Sequence, residues 1–277
     1  MIDLHLHTTA SDGGCTPTTL VERAWAAGLR VIAVTDHDTT AGLAEASHAA
    51  TAHNVRLVPG IEITSVVAGR DVHVLGYFFD PEDAALLDFL RAQRADRVDR
   101  AREIGRRLTA LGKPIDLSPL LARAEAEPGF SLGRPAIAQL LVDAGHVSDR
   151  NTAFDVLIGD GQPACVPRSG ATPADVARIV RAAGGIVSLA HPVLVRDQAR
   201  LPEVAMALDA IEVHHSEHRS DDVARYRALA GVLGLAMSGG SDYHGDARGS
   251  RATLGQITLP AADFQALEAR VPKRQSR

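Results

Sequence analysis

The sequence predicts a mostly parallel α/β core of barrel-like architecture, interrupted by a helical insertion. Three observations carry this. Strand and helix signals alternate up to Pro81 and again from Thr172, as successive βα units do. Between them, from about residue 83 to residue 161, helical signals continue with no convincing strand. Histidines and acidic residues collect at the ends of the expected strands, where such folds place their chemistry. The expected division is a barrel from residues 1–82 and 166–277 and an insertion, capping the substrate, at residues 83–165.

In chain order, residues 2–7 read as the first strand. Side chains alternate along a strand, so His5 and His7 share one face while Leu4 and Leu6 share the other. Thr16 and Pro17 supply an N-cap and a first-turn proline for a helix that closes at Gly28. Residues 31–35, Val-Ile-Ala-Val-Thr, form a buried strand that runs into Asp36-His37-Asp38. A helix over about 42–53 follows, then a strand at 56–64 carrying Glu62 and a strand at 71–79 carrying His73. Thr172-Pro173 repeats the earlier helix start, and that helix reaches Ala183. The remaining strands are 185–190, ending at His191-Pro192; 210–215; and 235–238, leading into Ser241-Asp242-Tyr243-His244, with a helix over 220–233 before the last. The basic tail, residues 272–277, is expected to fray.

Composition narrows the function. The chain has 277 residues, 45% hydrophobic and 23% charged, which suits a globular protein with a substantial core. Its formal charge of −5 argues against a surface for duplex DNA, which needs a basic face. An anionic substrate must then be held by local positive charge. Arginine supplies nearly all of it, lysine occurring only at 113 and 273. Cys15 and Cys165 stand alone without a Cys-x-x-Cys, so they suggest packing rather than a disulfide framework or a thiolate zinc site. No basic leader or apolar run approaching a membrane span is present, which points to a cytoplasmic protein with no membrane partner.

A single His-x-His is common and unspecific, but His5 and His7, with Asp12 on the following turn, make half a site for a borderline divalent metal. His37, Glu62, His73, His191, Asp242 and His244 extend it. Together these are six histidines and three carboxylates at the ends of successive expected strands. Nine ligands exceed what one ion needs, so two or three ions are expected, with Glu62 suited to bridging them. His48, His53 and His146 fall in helices or connections and read as surface or packing residues.

With these motifs the chain resembles the polymerase and histidinol phosphatase (PHP) family of metal-dependent phosphoesterases. Within that family it is similar to small bacterial enzymes acting on nucleoside 3',5'-bisphosphates and on the 5' ends of short RNAs. The matching segments are Asp3-Leu4-His5-Leu6-His7, Ser11-Asp12-Gly13, Thr35-Asp36-His37-Asp38, Gly60-Ile61-Glu62, His73-Val74-Leu75-Gly76, Ala190-His191-Pro192 and Gly240-Ser241-Asp242-Tyr243-His244. The resemblance implies a distorted (β/α)7 barrel and up to three ions, often manganese, iron or zinc. Asp12, His37 and His191 would serve catalysis within that cluster.

The resemblance also assigns substrate contacts to Arg97, Arg100, the Gly133-Arg134-Pro135 segment and His218. Arginine forks match phosphate oxygens in a bidentate way. The competing reading of Arg97 and Arg100 is a solvated helix face, with Asp96 pairing Arg100. His218 is the candidate for a phosphate contact or a leaving-group proton donor; its alternative is an exposed loop histidine. One departure is Ala136, where relatives often carry histidine, and it bears on substrate contacts rather than metal chemistry. The expected reaction is hydrolysis of a phosphate ester of a nucleotide or short RNA by water activated on the ions. The alternatives are a histidinol-phosphate or other small phosphomonoester phosphatase and, from another class, a non-catalytic metal-stabilised interaction module. The complete ligand set weighs against the latter, since a structural role needs no open polynuclear site.

Overall fold

In the computed structural model, residues 1–168, 170–245 and 253–272 are described; the expected frayed end, residues 273–277, lies outside them. Seven strands form one sheet in sequence order: β1 (Ile2–Leu6), β2 (Val31–Val34), β3 (Arg56–Val67), β4 (Arg70–Tyr77), β5 (Ile186–Leu189), β6 (Ala210–His214) and β7 (Ala236–Gly239). Neighbours are parallel except around β4, which runs antiparallel to both β3 and β5. The reason is local. Ala68 and Gly69 form a two-residue turn with φ of 49° and 76°, the paired positive values of a type I′ hairpin, and this extends β3 beyond the expected residue 64.

The sheet nearly closes on itself. Leu6 bridges to Tyr243, the His7 N–H donates to the Tyr243 carbonyl at 3.0 Å and the Asp242 N–H to the His5 carbonyl at 2.9 Å. Gly240 permits this approach, because a Cβ there would lie 2.3 Å from the His5 nitrogen. Closure thus brings the motif at the end of the chain against the motif at its start.

Around the barrel lie α1 (Pro17–Ala26), α2 (Leu43–Ala52), α7 (Pro173–Ala182), α8 (Leu201–Met206), α9 (Ser220–Leu233) and α10 (Ala261–Glu268). Both Thr-Pro starts cap as the sequence suggests: Thr16 accepts from the Thr19 N–H and Thr172 from the Asp175 N–H, each at 3.2 Å. Such caps contribute about 1 kcal/mol each. Leu4, Ala33, Val58, Leu75, Tyr77 and Ala210 pack in one cluster with Phe264 and Leu267 of α10, so α10 helps close one end of the barrel core.

Between β4 and α7 run α3 (Ala84–Ala110), α4 (Ser118–Ala126), α5 (Arg134–Asp143) and α6 (Arg150–Ala153). α3 is a shared strut. Its Leu86 and Leu90 join the barrel's apolar cluster, whereas Ala101, Ile104 and Leu108 pack with Phe130, Ile137, Leu141 and Ile158 in a separate one. This 27-residue helix therefore packs on the barrel near its start and among the other helices of the 83–165 segment further along. Among the described residues, no helix is long and apolar enough to cross a membrane.

Candidate metal centre and the adjoining cavity

Strand order fixes where each chemical group falls. His5 lies on β1 and His7 just beyond it, His37 follows β2, Glu62 lies on β3, His73 on β4, His191 follows β5, and Asp242 and His244 follow β7. All converge at one end of the barrel. Glu62 sits at the centre with 1% exposure. Its Oε2 is 3.4 Å from His5, 3.3 Å from His7 and 3.2 Å from His37, and its Oε1 is 2.9 Å from both His73 and His191. Asp242 Oδ1 lies 3.3 Å from His5 and 3.1 Å from His7. Asp12 Oδ1 lies 3.3 Å from His244, and Asp12 Oδ2 lies 3.7 Å from His37. Every histidine and carboxylate proposed from the sequence as a ligand is therefore in this cluster.

The turns that carry these ligands are held by groups that do not face the cluster. Asp36 accepts hydrogen bonds from the Thr8 N–H at 2.8 Å, the Thr8 hydroxyl at 2.6 Å and the Ser11 hydroxyl at 2.6 Å, which fixes the loop bearing Asp12. Asp3 accepts from the His5 N–H at 3.2 Å and the Ser241 N–H at 2.9 Å. His191 and Asp242 adopt φ of 26° and 55°, a region that L-residues seldom occupy and that recurs at functional sites.

The donor set fits divalent cations. Buried ring nitrogens of His5, His7, His37, His191 and His215 have no hydrogen-bond partner; each such atom costs about 1–3 kcal/mol, and a cation is what would satisfy a lone pair. Burial pulls the His37 imidazole down to a pKa of about 3, which keeps it neutral and able to ligate. Burial also disfavours the charged form of His7, but the adjacent carboxylates of Asp242 and Glu62 outweigh it and raise that imidazole to about 10. Burial likewise penalises the charged Glu62, and the surrounding histidines, His37 first, hold it well below the usual carboxylate range. Ligand-capable atoms fall into four overlapping groups, each spanning no more than 4.8 Å, with His5, His7, His37 and Glu62 shared between groups.

Two members of these groups were not singled out from the sequence. Glu212 accepts from His5 Nδ1 at 3.0 Å and from the His191 N–H at 2.6 Å, turning His5 Nε2 toward Glu62; such carboxylates commonly orient metal-binding imidazoles. His215 groups with His5 and Glu212, and its Nε2 lies 3.4 Å from Asp242. Strict alternation would have placed His214 beside Glu212, but the β6–β7 register slips between residues 212 and 214. His214 turns instead to Arg227 and Asp263. His218 stands behind His215, with ring centroids 5.4 Å apart, and its Nδ1 bonds the Val213 carbonyl at 2.8 Å.

A cavity of about 200 Å³ opens beside the cluster, with Asp12, His37 and His73 on one wall and Arg97, Arg100, Arg134 and Arg168 on the other. Arg97 and Arg100 are only 7% and 8% exposed, so the solvated-face reading fails for both. Arg97 pairs with Asp38 at 2.6 Å and donates to Thr64 at 2.8 Å. Arg100 and Arg134 each lie 3.2 Å from Asp71. The expected Asp96 partner of Arg100 is thus replaced by Asp71, because burial of α3 turns Arg100 inward to β4. Pro135 and Ile137 line the cavity with Arg134, whereas Ala136 does not. His48 is exposed, His53 and His146 are half-buried, and Cys15 and Cys165 are both free.

The comparisons with known proteins agree with this geometry. The PHP domain family model matches residues 3–129. A 3',5'-nucleoside bisphosphate phosphatase from Chromobacterium violaceum is 34% identical over 98% of this chain and 97% of its own length. A 5'-3' exoribonuclease from Haemophilus influenzae is 35% identical over 87% of this chain and 89% of its own. A crystal structure of a provisionally assigned metal-dependent phosphoesterase from Bifidobacterium adolescentis superposes with a TM-score of 0.87 at 32% identity, covering 99% of this chain and 97% of that one. The chain belongs to the PHP family of metal-dependent phosphoesterases, and it uses divalent metal.

Proposed function

We propose that this chain hydrolyses phosphate esters of nucleotides, its substrate being a nucleoside 3',5'-bisphosphate or a short 5'-phosphorylated RNA. The observation that supports it most is the cavity in which the metal-binding face meets a wall of arginines. One phosphoryl group would lie on the cluster; a second would reach Arg97, Arg100 and Arg134, whose forks suit phosphate oxygens. In the reaction a water oxygen bonds to phosphorus, the ester P–O bond breaks, and the departing oxygen takes a proton.

His5, His7, Asp12, His37, Glu62, His73, His191, Asp242 and His244 would hold two or three divalent ions of manganese, iron or zinc, with Glu62 between them. Such ions neutralise phosphoryl oxygens and lower the pKa of water toward neutrality. The chain's own part is to position. Glu212 aims His5, Asp36 fixes the Asp12 loop, and the insertion, residues 83–165, caps the substrate by presenting its arginines from α3 and α5. His218 is proposed to support the His215 side of the cluster rather than to line the cavity, which lacks it.

The test is a metal assay coupled to phosphate release over nucleoside bisphosphates, mononucleotides, 5'-phosphorylated oligoribonucleotides and histidinol phosphate. Manganese-dependent turnover with a preference for substrates bearing a second phosphate supports the reading. A preference for histidinol phosphate replaces it with the small-monoester alternative, and metal binding without turnover on any of them leaves the interaction module.

A further inference from the structure

Of the four arginines lining the cavity, three direct their N–H groups to protein acceptors. Arg97 donates to Asp38 and Thr64, Arg100 to Asp71 and the Val166 carbonyl, and Arg134 to Asp71 and Asp160. Arg168 differs. Its side chain is only 3% exposed, yet Nε and Nη1 have no hydrogen-bond partner. The carboxylate oxygens of Asp38, Asp71 and Asp96 lie 3.8, 3.9 and 3.9 Å from it, beyond hydrogen-bond reach. Burial first, and the neighbouring Arg97 next, bring its pKa down to about 10, so it remains a cation at neutral pH.

Charge counting around the cavity gives the chemistry of what it lacks. Four guanidiniums line it, and the well-buried carboxylates that face them are those of Asp38 and Asp71, at 0% and 14% exposure. Asp160 and Asp96 touch the rim but are 30% and 45% exposed, where water screens them. Asp12 is committed to His244 and His37. With Arg97 on Asp38, Arg100 on Asp71 and Arg134 on Asp71 and Asp160, the guanidinium of Arg168 is left without a hydrogen-bonded carboxylate in a buried space, an arrangement that is costly unless an anion comes to it. A phosphate group supplies such an anion, and guanidinium forks suit its oxygens.

We infer that Arg168 is the anchoring ligand for the second phosphate group of the substrate, with Arg97, Arg100 and Arg134 forming a prearranged frame around it. The inference rests on the functional reading above and deepens it: the three framing arginines are already tied to carboxylates, and Arg168, which lines the same cavity, is the one of the four without a hydrogen-bonded carboxylate. It makes Arg168 the specificity-determining residue for doubly phosphorylated substrates.

The test compares wild type with Arg168→Met, and with Arg178→Met as a control at a 71% exposed arginine of α7. In Arg168→Met the ratio of kcat/KM for adenosine 3',5'-bisphosphate to that for an aryl phosphate falls about ten- to a hundredfold. Its melting temperature does not fall, because an apolar side chain replaces an unsatisfied buried cation. Inorganic phosphate raises the melting temperature of chelator-treated wild type and of Arg178→Met, but not of Arg168→Met. An unchanged substrate ratio with a retained phosphate shift overturns the inference, and a lower melting temperature with an unchanged ratio makes Arg168 a structural strut. Arg168→Lys, which keeps the charge and loses the fork, serves the same comparison if the methionine variant does not accumulate. Should wild type show no preference for the bisphosphate, the substrate reading falls, and the phosphate shift alone then decides Arg168: its loss in the variant upholds the anion site, its retention overturns it.

Discussion

The barrel end and the insertion cavity are built on opposite deficits. At the barrel end, lone pairs outnumber protons: histidine nitrogens of five residues lie buried without partners around Glu62 and Asp242. Across the cavity, N–H donors outnumber acceptors at Arg168. An excess of lone pairs calls for cations and an excess of donors calls for an anion, so the two surfaces together describe a metal-bound phosphate ester. The contrast also separates what each residue should cost when removed.

The largest effects belong to the cation side. His5→Ala or Asp242→Ala should lose bound metal and about a thousandfold or more of phosphatase activity, measured by elemental analysis beside turnover; a variant that keeps both would detach that residue from the cluster. Glu62→Gln should lower metal occupancy and activity together while circular dichroism and melting remain those of a folded barrel. Wild-type turnover in that variant would reduce Glu62 to a packing partner. Glu212→Gln acts one step removed, through the orientation of His5, and should weaken metal affinity by about 10–100-fold, as read by chelator competition.

On the anion side the expected losses are smaller and divided. Arg97→Ala breaks a buried pair with Asp38 and leaves that carboxylate unpaired, which should cost about 3–5 kcal/mol of stability by denaturant unfolding. Arg134→Ala, at a half-buried site, should fold normally and lose about 1.5–3 kcal/mol of transition-state binding, roughly ten- to a hundredfold in kcat/KM, for bisphosphates. Equal losses on an aryl phosphate would reject a second-phosphate role for Arg134.

The two regions also differ in how much of them could be read from the sequence. The strands and the grouping of the nine cluster residues were legible because each belongs to a recognisable motif on a strand or in the segment after one, and period-2 alternation carries His5 and His7 to one face. The β3–β4 antiparallel pairing was not, since nothing but Ala68-Gly69 marks the hairpin. His215 was hidden by the register slip that moves it, instead of His214, to the side of Glu212. Arg168 carried no motif signal: two of the carboxylates near it, Asp38 and Asp71, are 130 and 97 residues away in sequence, and its lack of a hydrogen-bonded partner shows only in the folded chain. Periodicity reveals which face a side chain takes, but not which acceptors remain available to it.

The buried histidines and carboxylates are expected to hold catalytic divalent ions. Elemental analysis of the purified protein, followed by chelation and stepwise return of manganese with phosphate release measured at each step, tests it most directly. Two or three ions per chain, loss of activity on chelation and its return with manganese are the expected results. Protein that carries no divalent metal, and whose activity manganese does not raise after chelation, would contradict it.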